Sequence, residues 1–217
     1  MGRKLIFRLA HLLALFLLVV FTACAAQEIT LEKGMPPIVS DYLGPTRLGG
    51  PRRLPHTGID IDVWYEPVLA AADGIVTFVG FLSQRLDGAP GNIIAILHGQ
   101  DVDGSWISTG YLHLDSFKVS YGMEVKRGQL IAISGQTGDP PLTRGPIPHL
   151  HYTVFKTSSK FEKPTNEKTV NPHEFWVDGK PSCFDPNRNY PLRPIRFTYP
   201  VACRRGGDTQ TSTPKGN

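Results

Sequence analysis

The run Pro146-Ile147-Pro148-His149-Leu150-His151-Tyr152-Thr153-Val154-Phe155 carries two histidines two residues apart. From His149 onward β-branched and aromatic residues dominate without a breaker, which predicts a β-strand. Alternate strand side chains share a face, so His149 and His151 point one way while Leu150 and Tyr152 point the other, toward a core. Two imidazoles side by side suit a divalent metal, or one ligand beside one proton-transfer group. A bare His-x-His is equally a pair of surface histidines, so its meaning depends on partners elsewhere in the chain.

His56-Thr57-Gly58-Ile59-Asp60 supplies such partners. A histidine and a carboxylate four apart, with glycine between to let the backbone bend, can offer one nitrogen and one oxygen to a single ion. Alone, the spacing also fits a loop histidine and a turn aspartate. Joined to His151 it makes a His, Asp, His set. Three protein ligands with an open fourth position is the composition of a catalytic zinc site, not a closed structural one. Asp62 is the alternative carboxylate: two residues beyond Asp60, it would share a strand face and could support the ligands from behind. His113, in Tyr111-Leu112-His113-Leu114, and His149 remain as imidazoles flanking the metal. Zinc brings the pKa of a bound water to about 7, so a neutral imidazole can take its proton. A donating imidazole can stabilise the oxyanion formed as that water attacks a carbonyl. The chain has no His-Glu-x-x-His helix, so no glutamate base of that kind is available.

The elements that must position these residues read as strands. Pro67-Val68-Leu69-Ala70-Ala71-Ala72 ends at the turn signal Asp73-Gly74, and Ile75-Val76-Thr77-Phe78-Val79-Gly80-Phe81 follows. Asn92-Ile93-Ile94-Ala95-Ile96-Leu97-His98 is a further strand, and a turn around Asp101-Val102-Asp103-Gly104 leads to Trp106–Leu114. Gln129–Ser134 precedes the glycine-rich Gly135-Gln136-Thr137-Gly138. No stretch from 50 to 156 sustains a helical stripe, so the fold class is mainly β, an antiparallel sheet with little helix. The segment from Gly44 to Pro55 is dense in breakers and reads as a loop, a common place for a site.

The chain has 217 residues, enough for one domain with extensions. Its formal charge of +4 owes much to Arg3, Lys4 and Arg8; without them 20 basic face 19 acidic side chains. Charge therefore gives no support to nucleic-acid binding. That basic start precedes an apolar run from Leu12 to Phe21 and then Thr22-Ala23-Cys24-Ala25-Ala26, the three-part layout of an export signal. The run is shorter than the roughly 20 apolar residues of a membrane span. Ala23 and Ala25 suit a cut that releases a soluble protein, whereas Phe21-Thr22-Ala23-Cys24 resembles a bacterial lipobox whose cysteine becomes a lipid-modified first residue. Of the three cysteines, Cys183 and Cys203 can pair in an oxidising compartment, and Cys24 is left for the lipid. The expected layout is a signal peptide over 1–26, a spacer over 27–46, the main domain over 47–156, an extension over 157–203 and a disordered tail over 204–217.

The order His56-x-x-x-Asp60, Gly91-Asn92, Tyr111-Leu112-His113-Leu114, Gly128, Gly135-x-Thr137-Gly138 and His149-Leu150-His151 resembles the lysostaphin-type zinc endopeptidases of bacterial cell walls. The likeness spans about residues 40 to 156. It implies that His56, Asp60 and His151 bind one zinc ion, that His113 and His149 are the catalytic histidines, and that a groove lies over the sheet of a β-sandwich-like core. Peptidoglycan is the implied partner and substrate, the envelope the implied location, periplasmic and held to a membrane through Cys24, and the state a monomer. Some relatives keep the fold as a cell-wall-binding or amidase-activating module without catalysis, which is the alternative function. Two departures stand out: the segment from Asp139 to Pro148 is long and proline-rich, and Thr153 stands where relatives often carry an acidic residue. Val170-Asn171-Pro172 resembles the segment that closes many of these domains. Of the remaining histidines, His98 reads as a hydrogen-bonded structural residue and His173 as surface. Arg52 and Arg53 read as exposed, solvated arginines, with contact to acidic stem peptides as the alternative.

Overall fold

A computed structural model describes residues 39–41, 44–47, 50–82, 91–138 and 148–203. Along the chain the strands are β1 (Val39–Asp41), β2 (Gly44–Arg47), β3 (Gly50–His56), β4 (Ile59–Ile61), β5 (Pro67–Leu69), β6 (Gly74–Leu82) and β7 (Gly91–Gln100). They continue as β8 (Trp106–Leu112), β9 (Leu114–Phe117), β10 (Glu124–Val125), β11 (Leu130–Ser134), β12 (Leu150–Thr157) and β13 (Thr169–Val170). Two short 3-10 turns, Asn166–Lys168 and Pro172–Phe175, are the helical elements among the described residues. The fold is mainly antiparallel β, as the short apolar runs cut by glycine turns require.

The main sheet runs β1-β4-β12-β8-β7-β6-β10, with β13 also pairing β12. A three-stranded sheet runs β5-β11-β9, and β2 with β3 forms a separate ribbon. The central strand β12 buries Leu150, Tyr152 and Val154 completely on one face. They meet Ile59 and Ile61 of β4, Ile107 and Tyr111 of β8, and Ile94 and Ile96 of β7 in one continuous core. Each such large apolar side chain contributes about 1.5–3 kcal/mol on burial.

Residues 169–203 close this core. Trp176, Ile195, Phe197, Tyr199 and Val201 are all buried, and the Trp176 ring stacks on Tyr152 with centroids 6.1 Å apart. Val201 bridges Val68, the Leu69 amide donates to the Pro200 carbonyl, and the Thr198 amide donates to the Ala71 carbonyl. Cys183 and Cys203 are joined in a disulfide with Cα atoms 5.8 Å apart. The alternation Ile195-x-Phe197-x-Tyr199-x-Val201 is the sequence signal for this packing, and the prolines around it obscure it.

Several local expectations change. The Asp73-Gly74 turn joins two sheets, because β5 belongs to the small sheet and β6 to the large one. The Asp73 carboxylate instead accepts from the Arg127 amide at 2.8 Å, tying the turn to the loop before β11. The breaker-rich stretch read as a loop contains β2 and β3, and β1 lies in the stretch read as spacer, pairing with β4. Pro51 and Pro55 are tolerated because a two-stranded ribbon leaves each strand one edge that needs no amide donor. His98, by contrast, is the hydrogen-bonded structural residue expected, bonding the Asp73 carbonyl and the Thr109 hydroxyl, both at 2.8 Å. His173 is half-buried, not a surface residue, and accepts from the Trp176 indole at 3.0 Å. The export-type segment with Cys24, most of the proline-rich segment (139–147) and the tail from 204 lie outside the described residues, as do the side chains of Arg52 and Arg53.

Two stability outcomes follow from this packing. The Tyr152 hydroxyl is fully buried with no hydrogen-bond partner among the described residues, whereas that of Tyr111 accepts from the Ala71 amide at 3.0 Å. Tyr152→Phe is expected to hold or raise stability by about 1 kcal/mol and Tyr111→Phe to lower it by about 1–2 kcal/mol, read as urea midpoints at constant m-value. Replacing Cys183 and Cys203 together by serine opens the loop between them and is expected to cost roughly 3 kcal/mol in the same assay.

Candidate metal centre and its flanking histidines

His56 ends β3 and Asp60 is the middle residue of β4, with a tight turn between. Gly58 makes that turn possible. A Cβ at this position would collide with the Tyr152 carbonyl and stand 2.9 Å from His151 Nε2, so only glycine lets the turn lie on β12. The buried Thr153 hydroxyl fastens the same turn by donating to the Thr57 carbonyl. This is the role of the residue that departs from the acidic pattern. Register then places His151 directly opposite Asp60 on one side and Leu112 on the other.

Three ligand-capable atoms converge as a result. His56 Nε2 lies 2.9 Å from His151 Nδ1, His151 Nδ1 lies 2.9 Å from Asp60 Oδ1, and His56 Nε2 lies 3.1 Å from the same oxygen. Burial alone would raise the Asp60 carboxyl, but hydrogen bonds from His151 and His56 overcome it and hold the group far below the usual carboxylate range. Burial pushes the His151 imidazole down, against the pull of Asp60. Two ring nitrogens facing each other and one anionic oxygen set lone pairs or protons in opposition unless a cation lies among them. Atoms about 2.0–2.1 Å from one tetrahedral zinc ion stand roughly 3.3 Å apart, so this triangle has the right chemistry and nearly the right size. His56, Asp60 and His151 form the one group among the described residues whose ligand atoms could share an ion, and Asp62 is not part of it.

His113 and His149 stand beside this triangle. Their ring centroids are 4.7 Å apart, and His113 lies 5.9 Å from His151. His149 precedes β12 in an isolated bridge to Gly135, with its amide donating to the Gly135 carbonyl at 3.1 Å and its Nε2 3.8 Å from Asp60 Oδ1. His113 sits between β8 and β9 with φ of 63°, a left-handed conformation uncommon outside glycine. Its Nδ1 meets the Thr137 carbonyl at 2.9 Å. Burial drives its pKa down to about 3, with the neighbouring His149 and His151 pushing the same way, so the ring is neutral. The structure thus brings His56, Asp60, His113, His149 and His151 together.

The description of peptidase family M23 matches residues 54–172, which contain all five. The chain belongs to peptidase family M23. It is 36% identical over 119 residues to an uncharacterized metalloprotease of Haemophilus influenzae, a match covering 54% of this chain and 20% of that one. It is 36% identical over 118 residues to the DD-carboxypeptidase/endopeptidase Mpg of Neisseria meningitidis, covering 54% and 22%. It is 37% identical over 113 residues to the peptidoglycan DD-endopeptidase ShyA of Vibrio cholerae, covering 48% and 23%. The chain thus spans about a fifth of the length of these relatives. Among solved structures it is similar to the catalytic domain of lysostaphin from Staphylococcus simulans, at 30% identity and a TM-score of 0.45, covering 60% of this chain and 85% of that one.

In this M23 chain, removing one member of the triangle leaves only two of the three atoms that could share an ion. His56→Ala is expected to lower zinc affinity by at least about 100-fold, while Asp62→Ala leaves it unchanged, both read by elemental analysis after equilibrium dialysis.

Proposed function

We propose that this chain is a zinc-dependent endopeptidase that hydrolyses peptide bonds in bacterial peptidoglycan during cell-wall remodelling. The observation that carries the reading is the convergence of His56 Nε2, Asp60 Oδ1 and His151 Nδ1 beside a second pair of imidazoles. In this reading those three residues hold one zinc ion. Bound zinc supplies a Lewis acid that brings a water to a pKa of about 7 and polarises a carbonyl.

The chain's own contribution is proton handling. A carbonyl only accepts, so the His113 bond to Thr137 places a proton on Nδ1 and leaves Nε2 of the neutral ring as an acceptor. His113 Nε2 suits the proton of an attacking water. His149 is more exposed than His113, and its Nε2 lies 3.8 Å from Asp60 Oδ1. That imidazole suits donation to a developing oxyanion, and then to the departing amine.

The substrate class rests on relatives whose names specify peptidoglycan, together with an export-type start that would deliver this chain to the wall. The proposal extends to a monomeric periplasmic lipoprotein held to a membrane through Cys24, with a soluble secreted form as the alternative. A non-catalytic wall-binding or amidase-activating module has no use for a metal triad flanked by two further imidazoles.

Digestion of purified sacculi tests the reading, with and without chelator, the released fragments being identified by mass. Chelator-sensitive release of defined peptides is expected, and His113→Ala should lower its rate by about 100-fold or more with zinc retained. No release by folded, zinc-loaded protein would overturn the enzyme reading in favour of the non-catalytic module.

A further inference from the structure

Two stretches of the chain outside the His56, Asp60 and His151 set meet at His113. Gly91-Asn92 opens β7, and Thr137 lies in the turn after β11. The Thr137 hydroxyl donates to the Leu114 carbonyl at 2.8 Å and accepts from the Asn92 amide at 2.9 Å. The Asn92 side-chain amide donates to the same Leu114 carbonyl at 2.9 Å. Leu114 directly follows His113, so two donors from distant segments pin the Leu114–Asp115 peptide, one residue beyond a histidine held at φ of 63°. The Thr137 carbonyl, meanwhile, takes the proton of His113 Nδ1. One residue therefore fixes the chain just beyond this histidine through its hydroxyl and the ring through its carbonyl. Gly91 belongs to the same clasp: its φ is 65°, and a Cβ there would run into the Thr137 carbonyl that receives the imidazole proton.

The geometry points to Asn92 and Thr137 as positioning residues that set the tautomer and aim of His113. Left to itself, a neutral imidazole exchanges its proton between the two nitrogens, and a non-glycine residue leaves the left-handed region readily. The clasp removes both freedoms. It holds the proton on Nδ1, keeps Nε2 as the acceptor, and keeps the ring beside His149 and His151. The inference rests on the proposed hydrolysis for its kinetic consequence but not for its tautomer.

Thr137→Val removes the hydroxyl and keeps the size and the carbonyl, and Thr137→Ser restores the hydroxyl. In the full chain loaded with zinc, Thr137→Val is expected to lower kcat on peptidoglycan by about 10–100-fold with KM within about two-fold and zinc content unchanged, and Thr137→Ser to recover most of the loss. Nitrogen-15 spectra of the His113 ring give a readout independent of turnover. The parent should show Nδ1 protonated and Nε2 bare; Thr137→Val, by releasing the Leu114 carbonyl and so letting the ring move off the Thr137 carbonyl, should show a mixture of tautomers. If Thr137→Val does not fold, Asn92→Asp, which keeps the backbone amide and loses one donor to Leu114, should show the same two changes. Parent-like kcat and ring spectrum in a folded variant, or loss of zinc in step with activity, would overturn the assignment. Should the parent hydrolyse nothing, the ring spectra still decide the positioning role, and only the enzyme reading falls.

Discussion

The structure depends on one register: β12 runs between β4 and β8 so that His151 faces Asp60 across one pair and Leu112 across the other. A slip of one residue would turn His151 into the core and Tyr152 toward His56 and Asp60, because side chains alternate across a strand. The register is held from the core side by Leu150, Tyr152 and Val154, which have no exposed surface, and from the site side by the Thr153 hydroxyl on the 56–60 turn. Hydrophobic burial thus does the aligning. The polar groups that converge on the other face contribute little by themselves. Two imidazoles and a carboxylate at 2.9–3.1 Å separations are an arrangement that burial would break apart unless a cation or shared proton held it.

The same strand explains why residues 169–203 are tied so firmly to the rest. Tyr152 needs a partner for its outer face, and Trp176 stacks there while Phe197 closes the edge. β13 pairs with Val154 and Phe155, and the path to Val201 brings the chain back to Val68 and the small sheet. Gly135 directly follows β11 of the small sheet, and its isolated bridge to His149 sets the entry of β12. Distant parts of the fold therefore meet in the positions of His149 and His151.

His113 is placed by different means. It lies where the chain leaves the large sheet for the small one, and the change of direction requires a positive φ. Hydrogen bonds to Leu114 and to the ring replace strand pairing there. The two flanking histidines are accordingly held unequally: His149 by a backbone bridge at the sheet end, His113 by a clasp of side-chain and carbonyl groups.

The mainly β class, the inward face of Leu150 and Tyr152, and the grouping of one aspartate with histidines were legible in the residues themselves. Period-two alternation and turn chemistry act over a few residues and leave their mark on the chain. The ordered residue pattern, compared with a known family, also separated His151 from His149 and singled out Asn92 and Thr137, although it gave the last two no task. Other features were not legible: that Asp73-Gly74 joins two sheets, that His173 supports Trp176, that Thr153 fastens the 56–60 turn, or that Thr137 serves both backbone and ring of His113. Each of these depends on residues between 3 and 96 positions apart meeting at hydrogen-bond distance or on which sheet a strand joins. Local sequence determines which groups can accept, donate or be buried. Only the packed sheets decide which of them meet, because that choice is made by burial summed over the whole core and not by any one pair.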